Sequence, residues 1–177
     1  MDAFNEALRG WQNFYFMMGG AAATLAGLMF VALSLGQHLI SDKTKEQMRI
    51  FATPSIIYFV SVLLLAGIML VPIFAPVGIA LVLFLGGAYG FLRASKLARI
   101  LIQAARQNQD FTVGDWLAQI IGPVASYALM LVAALFFVGD QTTPGLIALG
   151  VATIALLLSA ITNTWALVIW IVEQKTP

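Results

Sequence analysis

Apolar residues dominate five long stretches of this chain, and polar residues mark the breaks between them. The apolar core of a bilayer, about 30 Å thick, is crossed by roughly 20 helical residues at about 1.5 Å each. Stretches that can cross it, alone or with their flanks, cover residues 11–35, 55–74, 77–92, 116–138 and 144–172. The pattern predicts an all-α, polytopic bundle of five transmembrane helices, with residues 1–177 forming a single transmembrane domain.

The shortest stretch, residues 77–92, is followed by a basic amphipathic segment. Arg93 and Lys96 can extend this span if their charged ends reach the headgroup region. Basic positions then recur every three to four residues, which predicts that the helix continues on the cytoplasmic side over about 93–107. These cations are candidate contacts for anionic lipid headgroups: Arg93, Lys96, Arg99 and Arg106. An anion-attracting vestibule or a partner-binding surface would use the same charges.

The segments outside the spans also allow two structural predictions. Only two or three residues around Pro76 separate the second and third spans, which predicts a tight antiparallel hairpin. Residues 1–10 include Asp2, Glu6 and Arg9, so we expect a short interfacial helix there rather than part of a span.

Charged residues are scarce and unevenly distributed. A soluble domain carries about 25% charged residues, whereas this chain of 177 residues has 10% charged and 61% hydrophobic ones. With five spans, eight Lys and Arg residues fall on one side of the membrane and one on the other. The positive-inside rule then predicts an outside amino terminus in a multi-pass protein of the cell inner (plasma) membrane. The net charge of +1 gives no basic field for nucleic acid.

The five stretches contain no Asp, Glu, Lys, Arg or His. Proton relays, ion-coupled pumps and voltage sensors place such groups at membrane depth, so these classes of protein are excluded. The chain has no cysteine, and His38 is its single histidine. We therefore expect no catalytic residue, no cofactor and no metal site, and a protein that is not an enzyme.

The first span is rich in small residues. Gly19, Ala23 and Gly27 are four residues apart and predict a small-residue packing stripe, where two helices can approach closely. In the last span, Asn163 lies near mid-membrane and needs a hydrogen-bond partner or a ligand. A weakly polar set is the candidate pore or oligomer face: Gly20, Thr24, Gly27, Ser34 and Asn163.

Two functions from different classes fit these features. The first is a homo-oligomeric membrane channel, or passive permeation protein, for small ions or solutes. The alternative is a structural or accessory membrane subunit that binds lipid or a membrane-protein partner without transport. Membrane lipids and further copies of the chain are the expected partners in either case.

Three segments resemble a family of small bacterial multi-pass membrane proteins without an assigned activity. They are Trp11-x-x-Phe14-Tyr15, the run from Gly20 to Leu35, and Ile161-x-Asn163-x-Trp165-x-Leu167. The resemblance covers the first and last spans and implies a bacterial inner-membrane protein. Orai-type calcium channels also have a Gly/Ala-rich first helix, but they have four spans and a glutamate ring at the pore mouth. This sequence offers only Ser34, Leu35 and Gln37 there.

Overall fold

The computed structural model describes residues 2–36, 42–71, 76–107 and 116–173, which are almost entirely helical. The helices are α1 (Asp2–Gly36), α2 (Asp42–Leu70), α3 (Pro76–Gln107), α4 (Gly122–Val138) and α5 (Thr142–Glu173). A π-helical turn, Trp116–Ile121, leads into α4. The described ranges contain no strand, so the predicted all-α fold is confirmed.

Five helical segments are long and apolar enough to cross a membrane, as the sequence predicts. They are Glu6–Leu35, Ala52–Leu70, Pro76–Gln103, Trp116–Val138 and Thr142–Ile169. The protein is therefore a multi-pass membrane protein. The third span and its basic extension form one uninterrupted helix, α3.

Residues 1–10 do not form a separate interfacial helix within the described part of the chain. Asp2 already belongs to α1, and the side chains of Phe4 and Leu8 are buried. The Phe4 ring meets the edge of the Phe137 ring at the end of α4, with centroids 5.8 Å apart. The first turns of α1 are helical because they have their own apolar contacts with the bundle.

The last helix, α5, lies at the centre of the bundle. It packs against α1, α2 and α4, while α3 packs against α4. The expected hairpin of α2 and α3 is wrong, because these helices scarcely touch. A short link brings two helix ends together but does not determine which faces pack. Here α2 buries its apolar face against α1 and α5 instead.

Close approaches between helices give their directions. Trp11 of α1 lies against Gly150 of α5, and Met29 lies near the Thr164 hydroxyl, so α1 and α5 run parallel. A tight turn reverses the chain between α4 and α5. In this turn Asp140 has a φ of 55°, and the Gln141 amide donates to the Phe136 carbonyl over 2.8 Å. This is a Schellman-type helix end with Asp in the position that glycine usually takes.

Candidate functional site

The weakly polar residues of α1 lie on the side of the helix that points away from the bundle. Asn13, Gly20, Gly27 and Ser34 are all exposed and are spaced by seven residues. Seven residues fall only about 20° short of two helical turns, so these four form one narrow line, here called the outward line. A Cβ on Gly20 or Gly27 would meet nothing within 4 Å.

The hydroxyl protons on this face are bonded within α1. Thr24, beside the outward line, donates from Oγ1 to the Gly20 carbonyl over 2.9 Å. Ser34 donates from Oγ to the Phe30 carbonyl over the same distance. Such bonds let Ser and Thr lie in an apolar environment without an unpaired donor. The face is therefore uncharged and presents hydroxyl oxygens that can accept.

The predicted packing stripe of Gly19, Ala23 and Gly27 does not share one environment. Gly19 is buried, and a Cβ there would lie 2.9 Å from the Ala66 Cβ of α2. Ala23 and Gly27 are exposed. Each four-residue step turns about 40° around a helix of 3.6 residues per turn, so the stripe drifts off the α2 contact. Gly19 serves packing within the chain, and the other two face outward.

Asn163 does not join the outward residues with which the sequence grouped it. It is 4% exposed in the core, on α5. Its Oδ1 atom is buried and has no hydrogen-bond partner among the described residues. One turn earlier, the Ser159 hydroxyl lies against Gly122, where the π-helical turn joins α4. Because α4 and α5 run antiparallel, Asn163 lies at the level of that π-helical turn.

The remaining polar core consists of hydroxyl groups. Tyr127 of α4 shares a 2.9 Å hydrogen bond with Ser61 of α2, and Tyr15 is fully buried with no partner for its hydroxyl. The sequence identifies Tyr15 only as part of the motif Trp11-x-x-Phe14-Tyr15, and it gives no sign that the hydroxyl is buried without a partner. The described ranges hold no group of three His, Cys, Asp or Glu side chains suited to a metal ion. Other buried polar residues are Ser55, Ser126, Thr153 and Ser159.

The basic residues of α3 lie on its exposed side. Arg93, Lys96 and Arg99 are exposed, whereas Ala94 and Ala98 between them are buried. The Arg93 guanidinium donates to the Tyr89 hydroxyl over 3.4 Å. The backbone of α3 includes position 106, but the Arg106 side chain lies outside the described residues. The three described cations are accessible to headgroups at one end of the bundle.

An apolar groove of about 200 Å³ lies between α1 and α5. Leu28 and Ala32 of α1 form one wall, Trp165 of α5 forms part of the other, and Phe59 of α2 contributes from within. Phe59 is fully buried, while Leu28 and Trp165 are largely exposed. The one hydroxyl on the groove, that of Thr164, donates to the Ala160 carbonyl over 2.8 Å. The groove thus opens sideways, as a carbon-lined depression beside the outward line.

Comparison with known protein families, curated proteins and solved structures finds no match to this chain.

Proposed function

We propose that this chain is the subunit of a homo-oligomeric channel in a bacterial inner membrane, through which small ions or solutes pass passively. The outward line carries this proposal. A helix face that meets only lipid is expected to present large apolar side chains, because lipid offers no partner for polar groups. Here the middle of the exposed face of α1 carries Asn13, Gly20, Gly27 and Ser34, although the large apolar side chains of Phe16 and Val31 lie beside them.

The outward line has the length of a transmembrane pathway. Asn13 and Ser34 are 21 residues apart in the sequence, which is roughly 31 Å along a helix and close to the thickness of the bilayer core. Around a central axis, copies of α1 place a ring of amides near one end and a ring of hydroxyls near the other. The glycines between them leave space at the axis and allow neighbouring backbones to approach.

Transport along this line is passive because nothing on it ionises. Selectivity then depends on the diameter of the pathway and on its hydrogen-bonding oxygens, as in other uncharged pores. The orientation follows the distribution of basic residues, with the amino terminus outside.

The test uses one glycine on each of two exposed faces. Gly27 and Gly86 both have open space where a Cβ would be, but Gly86 lies on α3. In liposomes, we expect Gly27→Leu to lower solute flux at least tenfold and to shift the purified protein to smaller assemblies. Gly86→Leu should leave both unchanged. Wild-type liposomes that pass no ion or small solute faster than empty ones would contradict the channel.

A second function, that of a lipid-binding accessory subunit without transport, is favoured by the exposed cations of α3. Each cation near an anionic leaflet contributes on the order of 1 kcal/mol to binding. This function predicts that the purified protein retains anionic lipid, and that Arg93→Gln with Lys96→Gln reduces the retained amount several-fold. Retained lipid together with absent flux would favour this function over the channel.

A further inference from the structure

The groove between α1 and α5 has the volume and the chemistry to hold an aromatic ring. Its volume is about 200 Å³, and an apolar cavity of about 150 Å³ is enough to bind benzene. The wall that Phe59 forms is held in place by packing, since the Phe59 side chain is fully buried. The groove lining is almost entirely carbon: the Thr164 hydroxyl is bonded to its own helix, which leaves the indole N–H of Trp165 as the remaining donor on the wall. An occupant would therefore be largely apolar.

Phe30 is a large aromatic residue with most of its surface uncovered, at 56% exposed. It is two residues from Leu28 and two from Ala32, which form the α1 wall of the groove. Two residues separate side chains by about 160° around a helix, so Phe30 points to the opposite flank of α1. It cannot enter the groove of its own subunit.

In a ring of copies, Phe30 and the groove lie at the same depth in the membrane. Copies related by rotation about the membrane normal keep every residue at the same depth. Along α1, Phe30 differs from Leu28 and from Ala32 by only about 3 Å. The Phe30 flank of one copy can therefore face the groove flank of a neighbouring copy at the same level. The outward line lies between these two flanks, so this contact turns it toward the axis.

We infer that Phe30 of each subunit occupies the α1–α5 groove of the next subunit. This contact rests on the proposed homo-oligomer and specifies its interface. It is head-to-tail, because each copy inserts a ring on one flank and receives a ring on the other. Repetition around the membrane normal closes such a contact into a ring rather than limiting it to a dimer.

A photoreactive phenylalanine analogue in place of Phe30 tests the contact in native membranes. Illumination should give a ladder of cross-linked species that ends at one largest size. Mass spectrometry should place the adduct on groove peptides containing Leu28 or Trp165. The control carries the analogue in place of Phe84, an α3 residue of similar exposure at 50%. It should yield only lipid adducts and monomers.

Filling the groove provides the second measurement. Ala32→Phe places a ring there from within the subunit, and we expect it to lower the Phe30 adduct yield at least tenfold. An oligomer with flux whose Phe30 adducts go only to lipid or to another surface would overturn this interface and leave the channel standing. A chain that is monomeric in the same membranes would overturn both.

Discussion

Two buried tyrosines show how much a single hydroxyl depends on its neighbours. The Tyr127 hydroxyl shares a hydrogen bond with Ser61 and joins α4 to α2. The Tyr15 ring is equally enclosed, with Trp11 and Phe14 around it, but its hydroxyl has no partner. An unpaired buried polar group costs about 1–3 kcal/mol, whereas a formed hydrogen bond contributes about 1 kcal/mol. The same atom therefore has opposite effects at these two positions.

We expect Tyr15→Phe to raise the free energy of unfolding by about 1 kcal/mol or more, because it removes an unpaired hydroxyl. Tyr127→Phe should lower it by about 1–3 kcal/mol, because it leaves the Ser61 hydroxyl without its partner. Thermal unfolding in one detergent, followed by circular dichroism, measures both. A Tyr15→Phe protein that melts below wild type would show that its hydroxyl is bonded in the assembled protein.

At this scale the sequence is a partial guide. It predicts that Asn163 is deep in the bilayer and needs a partner, since an amide within an apolar run is visible in one dimension. It does not distinguish Tyr15 from Tyr127. Both lie within long apolar stretches, and the difference between them is a serine on another helix, Ser61, which bonds Tyr127.

Among the helices, α3 and α4 are held together at glycines. A Cβ on Gly87 would lie 3.0 Å from a methyl carbon of Leu131, and a Cβ on Gly90 would overlap the ring of Tyr127. That ring cannot easily move away, because its hydroxyl is bonded to Ser61 and the Tyr58 ring packs beside it, with the two ring centroids 6.4 Å apart. The contact with α4 therefore requires glycine at position 90.

Gly90→Ala should lower the free energy of unfolding by about 1–3 kcal/mol, the usual cost of overpacking a core. Gly86→Ala, one turn earlier in open space, should raise it by up to about 1 kcal/mol, because alanine is the better helix former. Melting temperatures of the two variants are compared with wild type. Equal shifts in the same direction would contradict a close contact at Gly90.

The existence of the helices could be predicted from the sequence, but their pairing could not. The hydropathy of a segment indicates how long a span is and whether it is apolar enough to lie in lipid. It does not report which neighbour an apolar face will meet, and several faces in this bundle are apolar. A short link therefore predicts the α2–α3 hairpin, but the packing of the faces decides against it. That prediction is wrong because Gly87 and Gly90 make α4 the better-fitting neighbour of α3.

Over the whole molecule, the two ends of the bundle differ in charge. One end holds the start of α1 and the α4–α5 turn, which the Phe4–Phe137 contact brings together. The basic end of α3 lies at the other, because α3 and α4 are antiparallel. Alternation of five spans across the membrane requires this same arrangement. The outward line could be found in the sequence from its seven-residue spacing, but the groove could not, because its walls come from distant parts of the chain.

The natural absence of cysteine allows the orientation to be measured directly. Gln141→Cys, in the α4–α5 turn, should react with a membrane-impermeant maleimide in intact cells. Gln103→Cys, near the basic end of α3, should react only after permeabilisation. The reverse result would contradict the outside amino terminus. Labelling of both positions from one side would contradict five spans.

The central place of α5 has a consequence for synthesis in the cell. It is the last of the five helices to leave the ribosome, yet α1, α2 and α4 all pack against it. Until then the nascent chain can form two separate pairs, α1 with α2 and α3 with α4. Before α5 inserts, the two pairs meet through few contacts, those of Tyr127 with Ser61 and Tyr58 and that of Phe4 with Phe137. Premature termination after Val138 should therefore leave two weakly joined helix pairs exposed to the quality-control proteases of the membrane.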